Sequence, residues 1–97
     1  MKAQIKVEII TNRLERREVV RLLDRFEIKG YTFVDNAKGR GNRGEQDGAG
    51  LTGSFTNAYF IIICEREDFQ RIKEPMRELL TEIGGVCFVS EGEWLMH

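Results

Sequence analysis

The sequence predicts one small α+β domain, and three observations carry that prediction. Stretches of strand-like and helix-like periodicity alternate along the chain. One apolar run has no polar face, and a glycine- and arginine-rich segment without any period interrupts the pattern in the middle. The 97 residues, 41% hydrophobic and 32% charged, have the composition of a chain that folds. A chain of this length buries roughly 60% of its unfolded surface, enough for one core and a marginal monomer. Six Phe, two Tyr and one Trp supply apolar area for self-association.

Residues 4–10 alternate Ile5, Val7 and Ile9 with Lys6 and Glu8, a half-buried strand. Asn12 then offers a helix cap with Glu15 three residues on. Val19, Leu22, Leu23 and Phe26 follow at helical spacing, giving a helix over 13–28 that Gly30 is positioned to end. The opposite face, with Arg16, Arg17, Arg21, Asp24 and Arg25, reads as a solvated one. Residues 31–34, Tyr-Thr-Phe-Val, make the second strand, and residues 59–64, Tyr-Phe-Ile-Ile-Ile-Cys, a central third one. Phe69, Ile72, Met76, Leu79, Leu80 and Ile83 form the stripe of a second helix, in which Pro75 either kinks the axis or restarts it and which Gly84-Gly85 stops. Residues 86–89 give strand four, and 93–96 a short fifth. The order β-α-β-loop-β-α-β is that of the ferredoxin-like βαββαβ fold with an antiparallel sheet and a long loop between strands two and three. Two helices cover one face of such a sheet. Packing against further copies is the simplest way to bury the other.

A net charge of −1 gives no global field toward nucleic acid or anionic membrane. No run approaches the ~20 apolar residues of a membrane helix, and the first residues lack a secretory h-region, so the expected location is the cytoplasm. Cys64 and Cys87 lie in apolar runs with no CxxC or Cys/His cluster, and read as buried, reduced thiols.

The functional weight falls on residues 38–54, where six of the ten glycines gather. Gly39-Arg40-Gly41-Asn42-Arg43-Gly44 matches G-x-G-x-x-G, but no helical period follows it, so the dinucleotide-binding context fails. The segment still has anion chemistry. Glycines let successive backbone N–H groups converge on a ligand, and Lys38, Arg40 and Arg43 supply charge-assisted donors for phosphate or carboxylate. A flexible hydrophilic insertion is the plainer reading of the same composition.

Gly30-Tyr31-Thr32-Phe33-Val34, followed by Lys38-Gly39-Arg40-Gly41 at the mouth of a long loop, resembles the PII signal-transduction family, with its G-x-T-V strand, K-G-x-G turn and T-loop. The resemblance implies a homotrimer that holds an adenine nucleotide in clefts between subunits and reports it through a T-loop at about 38–54. It places Thr32 and Ile63 at the base, Gly39 and Gly41 at the phosphates, and Gly84 and Gly85 in a shortened B-loop. Lys38, Arg40, Arg43 and Asn57 would face phosphate or bicarbonate. Asn57 stands where the family usually has a lysine, and the cations after the B-loop glycines and near the chain end have no counterpart, so ADP or AMP is favoured over ATP. The tyrosine that nitrogen-regulatory members expose for uridylylation is absent from 38–54. The arginine-glycine T-loop ending in Leu51-Thr52-Gly53, then Asn57, the Gly-Gly turn and a tail with Trp94 and His97, is most similar to PII-like proteins associated with carboxysomes and bicarbonate transporters. A partner of that kind is implied, with no tightly bound cofactor.

An RNA-recognition domain shares the element order, but residues 5–10 offer no stacking ring. A nitrogen-regulatory PII protein is the other alternative. For an enzyme, no nucleophile-base or paired-carboxylate spacing presents itself, the only His is the last residue, and neither catalytic nor metal-ligating residues are assigned.

Overall fold

The computed structural model describes residues 3–39 and 56–97. Four antiparallel strands, β1 (Ala3–Asn12), β2 (Tyr31–Lys38), β3 (Thr56–Cys64) and β4 (Gly85–Glu93), form one sheet in the order β2-β3-β1-β4. Between them run α1 (Arg16–Arg25), entered through a 3-10 turn at Arg13–Glu15, and α2 (Arg66–Ile83). This is the expected ferredoxin-like α+β arrangement: β1 and β2 flank β3, β3 and β4 flank β1, and β2 and β4 are the two edges.

Alternation decides what is buried. Ile5, Val7 and Ile9 of β1 and Ala58, Phe60, Ile62 and Cys64 of β3 point to the helix layer and meet Val19, Leu22 and Leu23 of α1 and Ile72, Met76 and Leu80 of α2. Phe33 of β2 stacks on Phe60, with ring centroids 5.0 Å apart. Burial, helped by the Asp68 and Glu65 carboxylates, pushes the Cys64 thiol up from its ordinary pKa, so this side chain acts as a small apolar filler.

Five expectations need correction. β2 continues past Val34 to Lys38, because β3 begins at Thr56 and supplies partners as far as Lys38↔Thr56; Lys38 therefore belongs to the strand and not to the loop. The left-handed residue after α1 is Glu27, φ 61°, and not Gly30; the amide of Ile28 reaches back to the Leu23 carbonyl at 2.8 Å, and Ile28 buries its side chain in the core. α2 runs unbroken through Pro75. Cys87 is exposed: it lies on the helix side of the sheet, but on edge strand β4. No fifth strand occurs among the described residues, since β4 itself extends to Glu93. Past it, Trp94 packs edge-on against His97, centroids 5.1 Å apart.

Candidate functional site

Among the described residues, nothing packs on the sheet face away from the helices. Pairing registers align Val34, Tyr59, Ile10 and Val86 in one row across all four strands, and Thr32, Ile61, Glu8 and Phe88 in the next. A third row carries Ile63, Lys6 and Ser90. Ile10, Val34, Val86 and Phe88 are 40%, 50%, 49% and 67% exposed. Large apolar side chains in contiguous rows are unlike the scattered exposed residues of an ordinary surface. Thr32 and Ile63 both lie on this face, two residues apart in register, so the structure brings the two expected base contacts onto one surface.

At the centre of that face the Tyr59 hydroxyl donates to Glu8 Oε1 at 2.5 Å, and Lys6 Nζ stands 3.9 Å from Glu8 Oε2. The bond to Glu8, then burial and the carboxylate's charge, raise the Tyr59 pKa above its ordinary value. A raised pKa means that the bond's contribution is intact below the ordinary tyrosine range and is lost as pH rises through the elevated value. An ultraviolet phenolate titration is expected to show Tyr59 ionising late, and Glu8→Ala to return it toward about 10; a Tyr59 titration that Glu8→Ala leaves in place contradicts the pairing. A carboxylate in the middle of the face also opposes the polyanion that an RNA-recognition domain would lay there.

The glycines expected in the B-loop have strict structural reasons. Gly84 has φ +80° and closes α2, its N–H donating to the Leu80 carbonyl at 2.9 Å. Its own carbonyl accepts from the buried Thr11 Oγ1 at 2.8 Å. A Cβ on Gly85 would lie 2.9 Å from Leu80 Cδ2 and 3.0 Å from the Ile10 carbonyl oxygen.

The expected anion contacts fall at one end of the sheet. Ala37 pairs with Asn57, Asn57 with Asn12, and Gly85 with Thr11, so the loop root Lys38–Gly39, Asn57 and the Gly84–Gly85 turn share that end. They are not together. The root is on edge β2 and the turn on edge β4, with two strands between, roughly 14 Å at ordinary strand spacing. Arg40, Gly41 and Arg43, and most of the loop expected at 38–54, lie outside the described residues. An open groove between α1 and α2, lined by Leu22, Pro75 and Leu79 with charged neighbours, contains none of the expected site residues. Among the described residues no cluster of three His, Cys, Asp or Glu is arranged to hold a metal, and no helix is long and apolar enough to cross a membrane.

The sequence reading missed one cluster at the same end. Asp35 of β2 faces Arg16 Nε at 3.2 Å through Oδ1 and Arg13 Nε at 3.5 Å through Oδ2. From the sequence, Arg16 reads as part of a solvated helix face. An Asp directly after the Tyr-Thr-Phe-Val strand is the sequence signal, but its partners are nineteen and twenty-two residues away and only the fold reveals them.

The chain is thus an α+β domain of split-βαβ topology, with one exposed apolar sheet face, a glycine turn at one edge of the sheet and the loop root Lys38–Gly39 at the other. The family model for "Nitrogen regulatory protein P-II" matches residues 4–94, and the chain belongs to that family. Among solved structures, the nitrogen regulatory PII-like protein CPII from Thiomonas intermedia K12 is similar in two forms. Its complex with ADP and bicarbonate is 27% identical with TM-score 0.75, covering 94% of this chain and 87% of that one. Its complex with ADP, AMP and bicarbonate is 25% identical with TM-score 0.74 over the same shares. B. subtilis GlnK in complex with ATP, 19% identical with TM-score 0.66 over 93% of this chain and 82% of its own, shares the fold. Comparison with curated proteins gives no match.

Proposed function

We propose that the chain, as a single P-II domain over residues 1–97, is a non-enzymatic cytoplasmic sensor. It forms a homotrimer, binds ADP or AMP together with bicarbonate in the clefts between subunits, and regulates a partner in inorganic-carbon uptake or carboxysome function through a T-loop at about 38–54. The carrying observation is the division of the site: the loop root and the glycine turn sit at one end of the sheet but on opposite edges, beside an uncovered apolar face. A cyclic assembly that buries the face and sets the β2 edge of one copy near the β4 edge of the next would join the two halves of the site. The ligands of CPII support the choice of ADP, AMP and bicarbonate.

In this reading Thr32 and Ile63 line the base, while the amides of Gly39, Gly41, Gly84 and Gly85 approach the phosphates. Lys38, Arg40 and Arg43 neutralise anionic charge, and Asn57 offers a neutral hydrogen-bonding group where a cation would favour a triphosphate. Ligand binding then shifts the T-loop among conformations that the partner distinguishes.

Isothermal titration with AMP, ADP, ATP and bicarbonate tests the reading. ADP and AMP are expected to bind more tightly than ATP, with light scattering giving three times the chain mass. Flat heats for every nucleotide, or a monomer at working concentration, would overturn it.

A further inference from the structure

We propose that Asp35, clamped between Arg13 and Arg16, is the positioning residue that fixes the loop root Lys38–Gly39 and thereby sets the affinity of the cleft for its anionic ligand; the second half of this statement rests on the nucleotide-binding reading above. Val34 pairs with Tyr59 and Ala37 with Asn57, three steps along β2 against two along β3, so β2 carries one extra residue at Asp35–Asn36. A bulge bends its strand and re-aims the side chains within it. Among the described residues two pairings, Ala37↔Asn57 and Lys38↔Thr56, hold the strand beyond the bulge, and β2 is an edge with β3 as its neighbour. Two pairings on one side leave the last residues of β2 weakly fixed.

The clamp supplies the missing constraint. Arg13 opens the 3-10 turn that follows β1, Arg16 begins α1 directly after it, and the turn is itself braced. The Leu14 amide donates to Asn12 Oδ1 at 2.8 Å, and Arg16 Nη1 donates to the Arg13 carbonyl at 2.9 Å. Asp35 is thus tied to the body of the sheet through β1, two strands away. Its Oδ1 is out of reach of solvent, and Arg16 Nε is its ion-pair partner without the alignment of a hydrogen bond. The Asp35 side chain as a whole is 40% exposed and those of Arg13 and Arg16 are 51% and 35% exposed, so loss of either charge releases the restraint at modest cost to the stability of the domain. Lys38 and Gly39 follow three and four residues after Asp35, within about 14 Å of chain, so a rotation at the bulge displaces their donors.

The test uses Asp35→Asn, Asp35→Glu and the double variant Arg13→Ala/Arg16→Ala. It reads amide hydrogen exchange over Ala37–Gly39 in the nucleotide-free protein, ADP titration, and thermal melting. Asp35→Asn and the double variant are expected to speed exchange at Ala37–Gly39 and weaken ADP by about tenfold, the factor that two half-exposed ion pairs can supply to a competent population. Melting is expected to stay close to wild type, and Asp35→Glu to recover most of both effects. Exchange and affinity unchanged in both charge-removing variants overturn the proposal, as does a loss that follows the melting temperature alone. Wild-type protein silent toward ADP would instead overturn the nucleotide reading, and the exchange measurement alone would then decide whether Asp35 fixes the loop root.

Discussion

Phe88→Asp is expected to yield a folded monomer that no longer binds nucleotide. Phe88 is 67% exposed in the isolated chain, on edge strand β4, so the substitution removes little core packing. Its cost inside one chain comes chiefly from facing Glu8 in the β1–β4 register, a like-charge cross-strand pair worth up to about 1 kcal/mol. Between copies the cost is larger. A carboxylate pressed against Val86, Ile10 and their counterparts in a neighbour loses its hydration without gaining a partner, a penalty of several kcal/mol per buried ion. In a closed trimer the penalty arises at every interface, which is enough to dissociate it at micromolar concentration. Light scattering should give the monomer mass, circular dichroism should keep the wild-type signal, and ADP titration should be flat. A trimer that still binds ADP would show that the bare face is not where the copies meet.

Gly85→Ala is expected to lower stability by about 2 kcal/mol in the nucleotide-free protein, and Gly84→Ala by about 1–3 kcal/mol for a different reason. Gly84 has only a backbone preference to satisfy, since nothing lies within 4 Å of an added Cβ there. Gly85 has hard neighbours. The Leu80 methyl can rotate aside, but the Ile10 carbonyl at 3.0 Å and Thr11 Cβ at 3.2 Å belong to the central strand β1. Relief requires β4 to move away from β1 at the point where Thr11 and Gly85 pair, which also strains the Thr11 bond to the Gly84 carbonyl. For a domain of this size, 2 kcal/mol corresponds to roughly 8–16 °C in melting temperature. Equal melting for Gly85→Ala and wild type would mean that the turn relaxes freely and that the glycine serves ligand approach alone.

The parts of the fold legible in the sequence were those set by local period. Ile5, Val7 and Ile9 alternate because one side of β1 is covered and the other bare, and the stripe Ile72, Met76, Leu80 marks the buried side of α2. The order of elements then leaves few topologies, of which the observed sheet is one. What depended on partners was hidden. β2 extends to Lys38 only because β3 starts early enough to pair with it, and Cys87 is exposed because the helix layer does not reach the edge on which it sits. Glu27 takes the left-handed turn that a glycine three residues later could have taken, since the burial of Ile28 fixes where the chain must reverse. Of the candidate site, the Gly84–Gly85 helix stop was legible from the glycine pair, whereas the Arg13–Asp35–Arg16 cluster arises from register and could not be read from spacing.

The separation of the loop root and the glycine turn onto opposite sheet edges has a thermodynamic consequence for such a sensor. A ligand that needs one edge from each of two copies has no complete site on a single chain, so its free energy of binding adds to the free energy of assembly. Apparent affinity would fall on dilution below the assembly threshold, and saturating ligand would lower that threshold in return by the same linkage. The cell's supply of the protein would then help set which nucleotide concentration it registers.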